Sequence, residues 1–247
     1  MAHAVQYLRS IIFNAQMYVA MGVIGMLFAP YALVSRKGAL MACKSYCRWV
    51  IWTARWMVGI RTEVRGVVPD YEALVAAKHQ SFFDILVIFN ALPHAKFIMK
   101  REILWMPIIG IYAKRLGCVP VDRGKRGKAI AKMVKDVAHE FQEPGQLVIY
   151  PQGTRVSPGD YKPYKIGPAV LYEGLNESCV PVATNIGVYW PRKEVIRRPG
   201  LAVVEFLEPI RPGVSRDEFM QQLEGSVEGV SNALMREAGY DPDGKLR

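Results

Sequence analysis

Beyond residue 66, short apolar runs alternate along the chain with longer amphipathic segments. The apolar runs predict strands over Leu74–Ala77, Cys118–Val121, Leu147–Tyr150, Val180–Thr184 and Ala202–Phe206. The periodic segments predict helices over Phe82–Ala91, Lys128–Phe141, Pro168–Leu175 and Arg216–Glu237. Strands that alternate with helices are typical of α/β domains, so we expect a mixed, mostly parallel sheet flanked by helices.

The N-terminal part of the chain follows a different pattern. From Ile11 to Ser35 there are 25 consecutive residues without a charged side chain. As a helix at about 1.5 Å per residue they would reach roughly 37 Å, more than a hydrocarbon core of about 30 Å. Asn14 and Gln16 weaken this membrane signal, and Pro30 is expected to kink or end the helix. A cleaved signal peptide is the alternative, although its apolar core is normally shorter.

A second segment, Met41 to Ile60, combines basic residues with tryptophans at i, i+3 and i+7 spacing (Trp49, Trp52, Trp56). Trp prefers the membrane interface, and basic side chains can reach lipid phosphates. An ordinary packed helix is the alternative. We therefore expect a two-helix membrane anchor over residues 1–62 and an α/β domain over residues 63–247. Basic residues concentrate after Ser35, which predicts an inner (plasma) membrane protein whose α/β domain lies on the cytoplasmic side.

Composition and charge narrow the function classes. Apolar residues make up 51% of the chain, which excludes a disordered or collagen-like protein, and four Cys are too few for a disulfide scaffold. The net charge is +10, and the window 96–135 holds eleven Lys or Arg against two acids. These charges alternate with aliphatic runs, which favours anionic lipid over nucleic acid as a partner. A solvated basic face is the plainer alternative. We expect neither a metal site nor a cofactor.

His79 is the histidine best placed for chemistry. It follows the strand Leu74–Ala77 and precedes a helix that contains Asp84 in its first turn. Open α/β sheets bind ligands at the carboxyl ends of their strands, so His79 can project into a cleft. A carboxylate on one ring nitrogen fixes the tautomer and leaves the other nitrogen to act as a general base. The alternative is that Asp84 simply caps the helix.

Two further polar clusters follow predicted strands. Tyr150-Pro-Gln-Gly-Thr-Arg155 contains Gly153, which would let backbone amides approach an anion, and Arg155, whose guanidinium can bind a phosphate through two hydrogen bonds. The third cluster runs from Gly117 to Asp122-Arg123. An ion pair with Asp122 or another acid is the alternative role for Arg123.

In these clusters the chain resembles the glycerolipid acyltransferases of the 1-acyl-sn-glycerol-3-phosphate acyltransferase type. The family motifs are NHxxxxD, a glycine with β-residues and Asp-Arg, PEGTR, and an apolar-Pro-apolar strand. They correspond to Lys78–Asp84, Gly117–Arg123, Pro151–Arg155 and Val180–Val182. Lys100-Arg-Glu102, followed by Pro107 and Gly110, matches a further feature of the family between the first two motifs. The fold that the resemblance implies is glycerolipid acyltransferase-like.

The resemblance also implies a reaction. His79, oriented by Asp84, would deprotonate the sn-2 hydroxyl of 1-acyl-sn-glycerol-3-phosphate. That oxygen would attack the thioester of acyl-CoA or acyl-carrier protein directly, giving phosphatidic acid without an acyl-enzyme.

The substrate-binding residues follow from the same resemblance. Arg155, with Gln152, the Gly153 and Thr154 backbone and Arg123, would hold the phosphate of the acceptor. Lys100 would stabilise the oxyanion or a phosphate of the donor.

Two departures from the family pattern bear on the acceptor. Lys78 stands where Asn is usual, and Gln152 stands where Glu is usual. If the family's Glu must be anionic, the acceptor differs, and lyso-ornithine lipid or glycerol-3-phosphate becomes the alternative. A non-catalytic anionic-lipid-binding protein is the rival from another class, and the intact His79–Asp84 pair argues against it.

Overall fold

A seven-stranded sheet forms the centre of the computed structural model, which describes residues 2–121 and 145–242. Its strands in chain order are β1 (Ile60–Arg65), β2 (Ala73–Ala77), β3 (Ala95–Lys100), β4 (Val119–Val121), β5 (Gln146–Ile149), β6 (Cys179–Thr184) and β7 (Gly200–Phe206). The lateral order is β1-β7-β6-β2-β5-β3-β4. Neighbouring strands are parallel except for β6 and β7, so the expected mixed, mostly parallel sheet is confirmed.

Helices cover both faces of this sheet. In chain order they are α1 (Ala2–Val34), α2 (Arg36–Thr53), α3 (Phe83–Ala91), α4 (Ile109–Arg115), α5 (Gly167–Leu175), α6 (Ile186–Tyr189) and α7 (Arg216–Glu237). A π-helical turn, Ala54–Val58, extends α2, and a 3₁₀ turn, Arg101–Trp105, follows β3. The helix expected over Lys128–Phe141 lies outside the described residues.

The five predicted strands all exist, and their ends differ from the prediction by at most two residues. Two further strands were not predicted. The strand β1 lies at an edge of the sheet and contains only two apolar residues, Ile60 and Val64, so it forms no apolar run. In β3, Lys96 occupies a buried position, and a charged residue there breaks the apolar run that normally indicates a strand.

The side chains of β2 separate the two halves of the core. Ala73, Val75 and Ala77 pack with the cluster that includes residues of α1, α2 and α3. Leu74 and Ala76 pack on the opposite face with residues of α5 and α7. Successive side chains of a strand point to opposite faces, so a strand buried on both faces reads as a continuous apolar run.

The first helix belongs to this core as well as to the surface. Phe13 is fully buried, and its ring packs edge-on against Trp190 at a centroid distance of 5.3 Å. The two polar residues that weaken the membrane signal have partners within the chain. Asn14 Nδ2 donates to the Val195 carbonyl at 3.2 Å, and Gln16 Oε1 accepts from Trp49 Nε1 at 2.8 Å.

The same helix is long and apolar enough to cross a membrane. Pro30 lies inside α1, which continues to Val34, so the proline does not end the helix. Much of its surface consists of exposed apolar side chains.

Because Phe13 fills a buried site, Phe13→Ala should destabilise the whole domain by about 3–5 kcal/mol, the usual cost of deleting a core aromatic ring. The measurement is denaturant unfolding of the detergent-solubilised protein. Val19→Ala is the control, since Val19 lies on the same helix and is 65% exposed. Equal midpoints for the two variants would show that α1 does not contribute to the core.

Candidate active site

The four parallel strands β2, β5, β3 and β4 end at one edge of the sheet, and the clusters around His79 and Arg155 meet there. His79 follows β2, and the segment Tyr150–Arg155 follows β5. Lys100 is the last residue of β3, and only β5 lies between β3 and β2 in the sheet. Arg123, expected to join them, lies outside the described residues.

His79 and Asp84 form a hydrogen-bonded pair. The Nδ1 atom of His79 lies 2.9 Å from Oδ1 of Asp84. Asp84 is fully buried, whereas the His79 side chain retains 12% exposure. When Nδ1 carries the proton and donates to the carboxylate, Nε2 is left with a free lone pair. The pair can therefore accept a proton through Nε2.

Asp84 also performs the capping role that was its alternative reading. Its Oδ2 atom accepts from the backbone N–H of Gln80 at 2.8 Å and of Ser81 at 2.7 Å. These bonds close the turn between β2 and α3. The carboxylate thus both shapes the turn and orients the imidazole, and the two readings are not exclusive.

Tyr150 fixes the plane of the imidazole. The two rings stack with centroids 3.9 Å apart and an interplanar angle of 18°. The Tyr150 hydroxyl is buried beside the Asp84 carboxylate. Burial, together with the nearby Asp84 carboxylate, holds the pKa of the Tyr150 phenol well above its ordinary value, so the phenol stays protonated.

The loop after β5 turns sharply at Gly153. Its φ of +67° lies in the left-handed region, and a methyl group there would lie 2.8 Å from the Lys165 Nζ. The Gly153 N–H donates to the Tyr150 carbonyl at 2.8 Å, so it closes the turn, contrary to the expectation that it would be open to an anion. The amides of Thr154 and Arg155 donate to no other described residue.

Arg155 is half-buried on this loop. Within residues 2–121 and 145–242 its guanidinium forms no ion pair or hydrogen bond. Its carbonyl accepts from Arg192 Nη1 at 3.0 Å, and the next residue, Val156, donates its N–H to the His79 carbonyl at 2.8 Å. The backbone therefore ties the Arg155 loop directly to the His79 turn.

Lys100 lies further from the histidine. The lysine pairs with Glu102 at 3.0 Å, and about half of its side chain is exposed. At a strand spacing of about 4.8 Å, two strand positions place β3 roughly 10 Å from β2. Lys100 therefore flanks the His79 site at the same edge.

The two residues that depart from the family pattern share one partner, Glu228 on α7. Lys78 Nζ lies 2.7 and 2.5 Å from the two Glu228 carboxylate oxygens. Gln152 Nε2 lies 3.4 Å from Glu228 Oε1, and the Tyr164 hydroxyl donates to the same oxygen at 2.9 Å. Sequence reasoning missed Glu228 because it lies 76 residues beyond Gln152 on an otherwise ordinary amphipathic helix.

Comparison with known proteins agrees with this geometry. The acyltransferase family model matches residues 60–185, about half of the chain. The 1-acyl-sn-glycerol-3-phosphate acyltransferase of Pseudomonas aeruginosa is 28% identical over 202 residues, covering 79% of this chain and 78% of the relative. The alpha form of that enzyme from Mus musculus is 28% identical over 200 residues, covering 78% of this chain and 70% of the relative.

The fold has a counterpart of known structure. The crystal structure of the 1-acyl-sn-glycerophosphate (LPA) acyltransferase PlsC from Thermotoga maritima covers 95% of this chain and 98% of its own. The TM-score is 0.79 at 20% sequence identity, so this likeness shows a common fold. The family match, the fold and the motif-bearing strand ends agree, and this chain belongs to the acyltransferase family.

Proposed function

We propose that this acyltransferase transfers an acyl group from acyl-CoA or acyl-carrier protein to the sn-2 hydroxyl of 1-acyl-sn-glycerol-3-phosphate, forming phosphatidic acid. The observation that carries the proposal is the His79–Asp84 pair beside the half-buried Arg155, whose guanidinium has no partner among the described residues, at the same sheet edge. The names of the relatives support the choice of acceptor.

The mechanism follows from the orientation of His79. With Nδ1 held by Asp84, Nε2 takes the proton of the acceptor hydroxyl as its oxygen attacks the thioester carbonyl. The C–S bond then breaks, and the thiolate leaves with the proton from the imidazolium. Asp84 stabilises the transient imidazolium, and the stacked Tyr150 ring keeps its plane fixed. Arg155 and the Thr154 amide hold the phosphate of the acceptor, with Arg123 and Lys100 as further phosphate or oxyanion ligands.

Removing the base should stop the reaction without unfolding the protein. His79→Ala is expected to lower turnover by about 10³-fold or more, because a positioned base contributes that order of rate. Asp84→Asn should also be severe, since Asn can present a donor to Nδ1 and so favour the wrong tautomer. The measurement is thiol release from an acyl thioester with the lysolipid present. Near wild-type turnover in His79→Ala would exclude the general-base mechanism.

The role of Arg155 predicts a selective loss in acceptor binding. Arg155→Lys keeps the charge but loses the planar guanidinium that can form two hydrogen bonds with a phosphate. The KM for the lysolipid should therefore rise about ten- to a hundredfold, which corresponds to the loss of one hydrogen bond to a charged group. The KM for the acyl donor should stay near that of the wild type. Arg211→Lys, at an exposed and remote site, is the matched control. An unchanged acceptor KM would leave Arg155 without a binding role.

We also propose that the protein attaches to the membrane through the exposed faces of α1 and α2. The contacts of α1 with the rest of the chain are distributed along its length. Gln6 Nε2 donates to the Arg197 carbonyl at 2.7 Å near one end, and the Tyr112 hydroxyl donates to the Gly25 carbonyl at 2.7 Å near the other. A helix docked in this way presents one apolar face to lipid, which favours attachment to a single leaflet over a free transmembrane passage.

A further large apolar side chain is exposed outside the two helices. Trp105, 83% exposed, lies in the 3₁₀ turn after β3, and the strand Ile60–Arg65 follows directly on the helical hairpin. Since β1 begins at Ile60, we place the boundary between anchor and α/β domain at Gly59. The three tryptophans of α2 and its π-helical turn are exposed, unlike the core residues of an ordinary packed helix. Their rings contact one another in series, tilted or edge-on, with centroids 5.4 and 5.7 Å apart.

A basic depression adjoins these tryptophans. It has a volume of about 470 Å³ and is lined by Arg48, Arg55, Arg61 and Trp52 among others. Glu63, the acid in its wall, pairs with Arg65 instead. The depression lies at β1, three strand positions or about 14 Å from β2, so it is separate from the His79 site. Its chemistry suits anionic lipid headgroups on the cytoplasmic leaflet of the inner membrane.

This surface predicts a preference for anionic membranes. The variant Arg48→Gln/Arg55→Gln/Arg61→Gln should lose roughly a hundredfold of the preference for vesicles with phosphatidylglycerol over pure phosphatidylcholine, at about 1 kcal/mol per charge. Vesicle sedimentation measures both affinities. Arg211→Gln/Arg216→Gln/Arg236→Gln removes the same charge on the α7 side and should bind like the wild type. Equal losses in both variants would assign the effect to net charge alone.

A further inference from the structure

We infer that Glu228 is a positioning residue for acyl transfer, and that its partly buried carboxylate holds the His79 turn and the Gln152–Arg155 loop in register. The inference deepens the proposed function, because what Glu228 positions is the proposed catalytic base and the proposed phosphate site. Glu228 itself lies on α7 and touches residues next to the base and the phosphate loop.

The contacts converge on one carboxylate from two directions. Lys78, the residue directly before His79, is 2% exposed, and its ammonium group meets both Glu228 oxygens. Gln152, the residue directly before Gly153, is also buried. Its amide donates to the Lys162 carbonyl at 3.2 Å and lies 3.4 Å from Glu228 Oε1. The two sequence neighbours of the functional residues are thus joined through Glu228.

The charges explain why Lys78 and Gln152 occur together. A buried ammonium group without an anion is costly, so Lys78 requires Glu228. A carboxylate at position 152 would face the Glu228 carboxylate at about the present contact distance, and it could not donate to the Lys162 carbonyl. The neutral Gln152 is therefore the side chain that fits beside Glu228. The carboxylate that the family pattern carries in its third motif is supplied here by α7, with Lys78 as its counter-ion.

The remaining contacts of α7 support a positioning role. Burial, with the Glu228 charge, raises the pKa of Tyr164, so its hydroxyl remains a donor to that carboxylate. One turn further along, the Ser231 hydroxyl accepts from the Thr184 N–H at 3.2 Å. Met235 Sδ then accepts from Gln80 Nε2, in the His79 turn, at 3.5 Å. One stripe of the helix therefore contacts the His79 turn, the Gln152 loop and the end of β6.

A charge exchange tests the inference. Gln152→Glu should lower kcat about tenfold or more, because it places two carboxylates together, and Glu228→Gln should do the same, because it leaves Lys78 unpaired. In the double variant Gln152→Glu/Glu228→Gln, the carboxylate lies at position 152, where the family pattern has it. The amide introduced at position 228 can donate a hydrogen bond to that carboxylate. We expect kcat within about fivefold of the wild type in this double variant. The KM for the acyl donor should stay constant throughout.

A control and a second cycle separate positioning from folding. On the same helix the Glu224 carboxylate accepts a hydrogen bond from the Tyr161 hydroxyl at 2.7 Å. Glu224→Gln removes the negative charge from this similar contact and should keep wild-type kcat. Lys78→Asn/Glu228→Gln removes both charges and should regain the thermal stability lost in Glu228→Gln. Unchanged kcat in the single variants, or losses that multiply in the double variant, would overturn the inference.

The outcome for Glu228 is distinguishable from that for the proposed function. If His79→Ala retains activity while the exchange restores the unfolding temperature, the proposed mechanism fails and the Lys78–Gln152–Glu228 contact network stands. If His79→Ala is inactive and the exchange losses multiply, the mechanism stands and Glu228 has no positioning role.

Discussion

The buried Asp84 carboxylate is the interaction on which the site depends. A fully buried charge is tolerated only where hydrogen bonds replace its hydration, and here two backbone amides and one imidazole supply them. Those same bonds fix the turn after β2 and the tautomer of His79. Folding and catalytic geometry therefore rest on one set of contacts, and the turn cannot relax without exposing or orphaning the charge.

The parallel sheet converts this local turn into a site. Because β2, β5 and β3 run in the same direction, residues far apart in the chain meet at their carboxyl ends. The backbone bond from Val156 to His79 and the Glu228 carboxylate then join the second loop to the first. The proposed base, His79, and the proposed phosphate-binding loop are therefore held together by contacts from the backbone and from α7.

The N-terminal helices contribute to the core and to the surface at once. Phe13 packs against Trp190, while other apolar side chains of α1 and the tryptophans of α2 face outward. This dual role explains why Asn14 and Gln16 are compatible with a membrane-facing helix, since both point to partners in the chain. Under the proposed attachment to lipid, the packing of α1 against the α/β domain would hold the His79 edge in a fixed orientation to the bilayer.

The sequence by itself determined the features that depend on local pattern. Continuous apolar runs indicated the buried strands, and the His79–Asp84 spacing and the Arg155 loop indicated the dyad and the anion-binding segment. It missed β1 and β3, whose charged residues hide the strand pattern, and it assigned to the Gly153 amide a role that the turn itself uses. Only the tertiary structure revealed that Lys78 and Gln152 share Glu228, or that Tyr150 stacks on His79. Those contacts join residues separated by 71 to 150 positions, where local periodicity carries no information, and only the packing of the sheet with α7 brings them together.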